Sequence, residues 1–563
     1  MFRLTGCEAG TNKHNMPLPN MSIRVPRVVV GSILVVLAAS LSCMKATATA
    51  EGAPLVSSAA APPKLIVFIT VDQLRGDMLD RFRKDLRYGY ARLMRGAFYV
   101  NAFHDHAITE TAPGHATMLS GRFPRGTGIT SNITGGVIDP SYPLLTGADF
   151  EYGASPERFV GTTLFDWLYA KDKRARALSV SKKDRGAILP IGRAKQNVYW
   201  FSANGSFTTS EYYRDSLPTW VKDFNARHLS QRYAGAEWAL TRDSATYAEP
   251  DSVPFEHNGH DFMFPHHFPS DSIGASAYIP ATPSMDSVTA LFALDGLRHL
   301  ELGEGPQTDI LAVSFSATDY VGHAYGPDSR EAHENEMRLD ETIGWFLDSL
   351  YKLRDSSTVM IALTGDHGVS PIPELARARG EATGDQGMRV TLRQQVADVR
   401  AGLRAANVDT MAFLNDGEVV ALDRATLAKA KLNADSLLNA FAAAAKQVRG
   451  VARVDRITTL RRADFATDPI ARRWTHQIPE HSPVELVMTL TKYSYWNTLP
   501  ATHGSPYDQD AWVPIIFYGP WVKPGRYTSF TRTVDIAPTL AAIAVVRPLE
   551  KLDGRVLMDA LKR

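Results

Sequence analysis

The chain has 563 residues, 44% of them hydrophobic and 21% charged, an ordinary globular composition with ample apolar material for a large core. Against 61 Lys and Arg stand 60 Asp and Glu, a formal net charge of +1. That balance argues against a nucleic-acid partner or an anionic membrane, so any substrate charge must be met by local residues.

The first element is a targeting segment. Arg24 and Arg27 precede the apolar run Val28–Leu41, and Ala48-Thr49-Ala50 then offers a small-residue cleavage site. Residues 1–50 read as a signal segment, with Met21 as an alternative start, and imply a periplasmic or secreted protein. The apolar run is short for a membrane span, so none is expected in the mature chain. Cys43 offers a second, lipid-anchored reading, although Ser40-Leu41-Ser42 matches that signal poorly. Cys7 and Cys43 are the only cysteines. A chain cleaved after Ala50 would carry no disulfide and no thiolate ligand, and any metal would have to use His and carboxylates.

Residues 51–63 read as a small-residue linker. A β-rich apolar run, Leu65–Val71, then stops at Asp72. The pattern recurs where Ile310 onward runs into Asp319 and where Val359 onward runs into Asp366. Short runs apolar on both faces suit central parallel strands covered by helices. Helical patterns lie between them, as around Glu331–Leu350, which predicts an α/β sandwich with a mostly parallel sheet flanked by helices. Core segments are expected at 64–201, 301–375 and 496–563. Residues 202–300 read as an irregular insertion. Residues 376–495 read as a small α+β cap, with a helical segment Ala425–Val448 and strand-like runs Val451–Thr459 and Val484–Thr491. In the last segment a strand begins at Trp512 and a helix near Val534.

In open α/β sheets ligands bind beyond the carboxyl ends of the strands, so three strands leading to aspartates mark a candidate site. Asp319 and His323 are four apart and share one side of a helical turn. Asp366 and His367 are adjacent at a strand end, and His503 sits in a polar turn. With Asp72 these make three Asp and three His, a donor set suited to two zinc ions with open positions. Thr111 precedes Pro113 and Gly114, which suits a sharp turn into a helix. A hydroxyl there is either an N-cap or, beside two metals, a nucleophile.

These motifs resemble the alkaline phosphatase superfamily, in its threonine-nucleophile branch. That branch holds the type I phosphodiesterases and nucleotide pyrophosphatases and a group of bacterial phosphate-insensitive alkaline phosphatases. The resemblance runs from about residue 64 to the end. It rests on VDQLRGD (Val71–Asp77), TAPGHATMLSGRFPRGTGITSN (Thr111–Asn132), KDRGAILPIGR (Lys183–Arg193), TDYVGHAYGP (Thr318–Pro327), GDHG (Gly365–Gly368) and HGSPY (His503–Tyr507). It implies an alkaline-phosphatase-like three-layer sandwich. One metal would be held by Asp319, His323 and His503, the other by Asp72, Asp366, His367 and the Thr111 oxygen. Asn132 would donate to a phosphoryl oxygen. His115 matches no ligand of the family and reads as structural, as do His104 and His106. His257, His260, His266 and His267 read as parts of a packed insertion loop.

The choice between monoester and diester turns on Ser179–Arg185. In an extended strand Ser179, Ser181, Lys183 and Arg185 share one face. Two Zn²⁺ bring four positive charges, and three aspartates with a Thr111 alkoxide bring four negative ones. A phosphate monoester arrives as a dianion, which Lys183 and Arg185 would balance, Arg185 through a two-pronged hydrogen-bond pattern. The resemblance agrees, because the Lys-Asp-Arg element marks the monoesterase group. The expectation is a phosphomonoesterase acting on small molecules through a phospho-threonine, with a phosphodiesterase or nucleotide pyrophosphatase as the alternative and a non-catalytic binding protein as the remote one. A sulfatase is disfavoured, because Thr111-Ala112-Pro113-Gly114-His115 lacks both the convertible Cys or Ser and the Arg of that class.

Overall fold

The computed structural model describes residues 61–562, except Thr134. The targeting segment, its cysteines and most of the linker lie outside the described residues. The strand Leu65–Val71 is the centre of a ten-stranded sheet. It pairs in parallel with Asp309–Phe315 on one side and Val359–Gly365 on the other, Leu65 lying opposite both Asp309 and Val359. All three are seven residues long and buried throughout, as their two-faced apolar sequences require. Equal length and level register bring their carboxyl ends out at one sheet edge.

From one edge to the other the strands run Gly525–Tyr527, Ala97–Phe103, Trp512–Tyr518, Val359–Gly365, Leu65–Val71, Asp309–Phe315, Ala177–Ser181, Asn197–Phe201 and Phe207–Thr208, and Thr531–Arg532 also pairs with Ala97–Phe103. Trp512–Tyr518 is antiparallel to both its neighbours, and Phe207–Thr208 is antiparallel to Asn197–Phe201; the other pairings are parallel. The pleat sends alternate side chains to opposite layers. Val67 and Ile69 pack with Tyr90, Phe292, Leu339 and Phe346. Ile66 and Phe68 pack with Ala112, Leu189, Ile536 and Leu540. The expected three-layer α/β architecture is therefore present.

The region read as an irregular insertion contains a regular element, the 16-residue helix Ser284–His299. Its Met285, Val288, Phe292 and Leu297 are buried in the core, so this part of the segment belongs to a helical layer. Its Asp286 accepts hydrogen bonds from Ser316 N–H (2.9 Å) and Ala317 N–H (3.2 Å), and so caps the helix Ala317–Tyr325 from outside. Burial pushes that carboxyl up to about 8.

The cap is a four-stranded antiparallel sheet in the order Phe413–Asp416, Val419–Leu422, Val484–Leu490, Val451–Arg456. It has its own core around Leu403, Phe413, Leu438, Phe441 and Met488. The helical segment at 425–448 is two helices, Arg424–Lys429 and Ala434–Lys446, each capped by the side chain before it, Asp423 and Asn433. The strand at 451 ends at Arg456, where a short helix begins. No helix among the described residues is long and apolar enough to cross a membrane.

Candidate active site

Asp72 follows the central strand, Asp366 follows the strand beside it, and Asp319 lies on the first turn of Ala317–Tyr325 after the other neighbour. All three are buried, and the fold brings them together. Asp319 forms a compact group with His323 and His503, whose Nε2 atoms stand 3.3 and 3.4 Å from its Oδ1. Asp72, Asp319 and His367 form a second group, with His367 Nε2 3.4 Å from Asp72 Oδ1. Asp366 stands beside this second group, its Oδ2 3.7 Å from His367 Nε2.

The three histidines are oriented alike. Nδ1 of His323 faces the Ala501 carbonyl at 2.9 Å, that of His503 faces Thr109 O at 2.8 Å, and that of His367 faces Gly368 O at 2.9 Å. A carbonyl can only accept, so each Nδ1 carries a proton and each Nε2 is the ring nitrogen turned to the carboxylates. This is the arrangement in which imidazoles bind metal ions.

Electrostatics point the same way. Neither Asp72 oxygen accepts a well-directed hydrogen bond, and its carboxyl is raised by burial and then by Asp366. Burial opposes charge on His367, but Asp366 and Asp72 outweigh it and raise the imidazole to about 9. His503 is pushed down to about 3, by burial and then by His367. The acids thus hold positive charge on His367, while His503 is kept neutral. Nitrogen and oxygen donors in this excess fit divalent cations of the zinc type.

The helix Thr111–Met118 starts above this cluster. Its N-cap is Glu110, which makes no side-chain cap, so Thr111 is the first helical residue and its hydroxyl is not used in capping. Thr111 Oγ1 lies 3.5 Å from His367 Nε2 and 3.3 Å from Lys183 Nζ. Gly114 lets the helix approach this closely: a Cβ there would stand 2.1 Å from the Asp366 carbonyl oxygen. Asn132 folds over the same helix end, its Oδ1 accepting from Ala112 N–H at 2.8 Å and its own N–H donating to Glu110 Oε2 at 2.7 Å. With Oδ1 turned to the backbone, the amide NH₂ is its remaining donor group.

The expectation of Lys183 and Arg185 on one strand face needs correction. The strand ends at Ser181, Lys183 is the extended N-cap of the helix Asp184–Ile188, and Arg185 lies on that helix's first turn. An acid in the first turn favours a helix start at Asp184. Lys183 still reaches the centre, its Nζ 2.6 Å from both Asp72 Oδ2 and Asp319 Oδ2. Burial works against its charge, but Asp319 and Asp72 hold the ammonium well above the ordinary lysine range. The guanidinium of Arg185 acts on Asp72, Asp319 and Glu110.

His115 is buried with Nδ1 2.9 Å from Thr111 O and 3.1 Å from Asp366 Oδ2, and Nε2 on Ser314 Oγ. It touches the cluster from behind. His104 bridges Gly365 O and Thr533 Oγ1, and His106 is buried near it. His257, His260, His266 and His267 do not gather: His260 and His267 are exposed, and His266 faces Glu331 and Asp261.

The sequence reading passed over Gln73. Its N–H donates to Asp366 Oδ1 at 3.0 Å and its Nε2 to Asp319 Oδ1 at 2.8 Å, so one residue ties together two of the aspartates. It does so with φ 69°, a left-handed conformation uncommon outside glycine. Its signals in the sequence were its place after a strand-end Asp and within the motif Val71–Asp77.

Fold and site together define an α/β-sandwich protein with a buried carboxylate–histidine centre under a helix-borne threonine. Residues 66–455 match the family described as type I phosphodiesterase / nucleotide pyrophosphatase. The chain is similar to alkaline phosphatase PhoV of Synechococcus elongatus, 30% identical over 94% of this chain and 99% of that one. It is similar to alkaline phosphatase PhoK of a Sphingomonas species, 29% identical over 89% of this chain and 92% of that one. The crystal structure of alkaline phosphatase PafA superposes with a TM-score of 0.81 at 25% identity, covering 90% of this chain and all of that one. The chain belongs to the type I phosphodiesterase / nucleotide pyrophosphatase family, and within it is a hydrolase of the bacterial alkaline phosphatase kind.

Proposed function

We propose that the chain hydrolyses phosphate monoesters by passing the phosphoryl group through Thr111 at a two-zinc centre. The observation that carries this reading is the convergence on Thr111 Oγ1 of Lys183 Nζ and of His367 Nε2, over buried aspartates. Asp319, His323 and His503 would hold one ion. Asp72, Asp366, His367 and the Thr111 oxygen would hold the other. When bound, the ions supply Lewis acidity to the attacking and leaving oxygens.

The chain's own residues do the rest. Thr111 gives up its hydroxyl proton to solvent and its Oγ attacks phosphorus in line; the Oγ–P bond forms, and the P–O bond to the alcohol breaks with its electron pair, the alkoxide taking a proton back from solvent. Asn132 NH₂, Lys183 and Arg185 meet the non-bridging oxygens, and such fixed donors supply most of the rate in phosphoryl transfer. Water then attacks from the opposite side and frees Thr111 and phosphate. The sequence of residues 1–50 supports placing this chemistry in the periplasm or outside the cell.

Chelation tests the metal requirement. Activity on a phosphate monoester should disappear on dialysis against a chelator and return with zinc, at two ions per chain. Full activity without metal would overturn the reading. Gln73→Ala should weaken zinc binding by roughly 10- to 100-fold, as loss of an outer partner of ligating groups does. Equilibrium dialysis checks it, and unchanged affinity in a folded variant would remove Gln73 from the site.

A further inference from the structure

The centre opens on a cleft of about 730 Å³ between the core and the cap. His323, His503, Asn132 and Glu110 line its inner end, and cap residues such as Val419, Met488 and Trp496 line its outer part. A monoester bound with its phosphoryl group at Thr111 would extend its alcohol into this space. The wall has a distinct charge. It contains Glu110, Asp416, Glu418 and Asp510, the last held by Ser370 and Ser505, and, among the described residues, no Lys or Arg. The two cations of the site, Lys183 and Arg185, lie outside this lining.

Glu110 and Glu418 belong to opposite sides, one before the Thr111 helix and the other in the hairpin turn between Phe413–Asp416 and Val419–Leu422. Both are half-buried. Burial, then the charge of Glu110, push the Glu418 carboxyl up to about 8. The Trp496 indole adjoins Glu418, so an aromatic ring and an acidic group lie side by side in the wall. Aromatic faces and carboxylates attract organic cations, and a wall without positive charge repels a second anionic group.

We propose that this cleft selects phosphate monoesters whose leaving alcohol carries a positive charge, an ammonium or alkylammonium alcohol, with Glu418 as a specificity-determining residue. The inference rests on the phosphomonoesterase reading. The ammonium would lie against Glu418 and Trp496 while the phosphoryl group stays with Thr111, Lys183 and Arg185. Monoesters bearing a second anion would be disfavoured.

The test uses two substrates of one shape, phosphocholine and 3,3-dimethylbutyl phosphate, which differ by a single charge. In the zinc-loaded enzyme at low salt and at a pH above about 8, where Glu418 is ionised, kcat/KM should favour phosphocholine. Glu418→Gln should lower kcat/KM for phosphocholine roughly tenfold and change that for the neutral isostere by less than about twofold. Raising salt to about 0.5 M should shrink the preference in the unaltered enzyme, because a half-exposed charge is screened. Equal effects of Glu418→Gln on both substrates, or a wild-type preference indifferent to salt, would overturn the proposal while leaving the phosphatase reading intact. Failure to hydrolyse either substrate would overturn both.

Discussion

Thr111→Ala should lower kcat for a phosphate monoester by about 10⁴-fold or more, because it removes the atom proposed to accept the phosphoryl group. The loss should not come from unfolding. The Thr111 hydroxyl caps nothing, and its contacts with Lys183 and His367 are long, at 3.3 and 3.5 Å. The aspartates and histidines are positioned by the strand ends, by Gln73 and by backbone carbonyls, none of which depends on that hydroxyl. Zinc content should therefore stay close to that of the unaltered chain. Single-turnover kinetics and metal analysis on the same sample check both halves. Turnover near the unaltered level would remove Thr111 from the mechanism.

Arg185→Ala should cost monoester hydrolysis roughly 10²- to 10³-fold, the loss expected for a charged donor to a transferring group, and cost diester hydrolysis far less. A monoester dianion presents one more negative charge than a diester, and in the proposed reaction Arg185 meets it. Lys183→Ala should act in the same direction with a further effect. Lys183 lies between Asp72 and Asp319 at 2.6 Å from each, and removing a buried partner leaves uncompensated charge, at a cost of about 3–5 kcal/mol before metal is bound. Arg185, partly exposed at its helix start, is the cleaner variant. Rates on paired mono- and diester substrates decide it. Equal losses on both would show that these cations do not read substrate charge.

Much of this site could be read from the sequence because its residues are tied to strand ends. Leu65–Val71, Asp309–Phe315 and Val359–Gly365 are apolar on both faces, which marks central parallel strands, and the acids after them had to emerge at one edge. The Asp319–His323 spacing carried its own geometry, a single helical turn. What was not legible depended on contacts between distant segments. Gln73 is an ordinary residue in sequence, and its role appears only when Asp366 and Asp319 fold to either side of it. Asp286 likewise caps a helix whose first residue is 31 positions away. Arg185 was placed on a strand because the alternation of Ser179, Ser181 and Lys183 continued through it, whereas Asp184 started a helix. The helix Ser284–His299 was hidden by the Pro- and Ser-rich residues before it. The cleft wall is built from the cap and from loops far apart in sequence, so its acidic character could be seen only in three dimensions.

The most direct measurement is the ratio of rates on p-nitrophenyl phosphate and bis-p-nitrophenyl phosphate for the purified, zinc-loaded chain at mildly alkaline pH. A ratio strongly in favour of the monoester is the predicted result, since Lys183 and Arg185 together balance a dianion at Thr111. A ratio in favour of the diester would contradict the account and make the chain a phosphodiesterase.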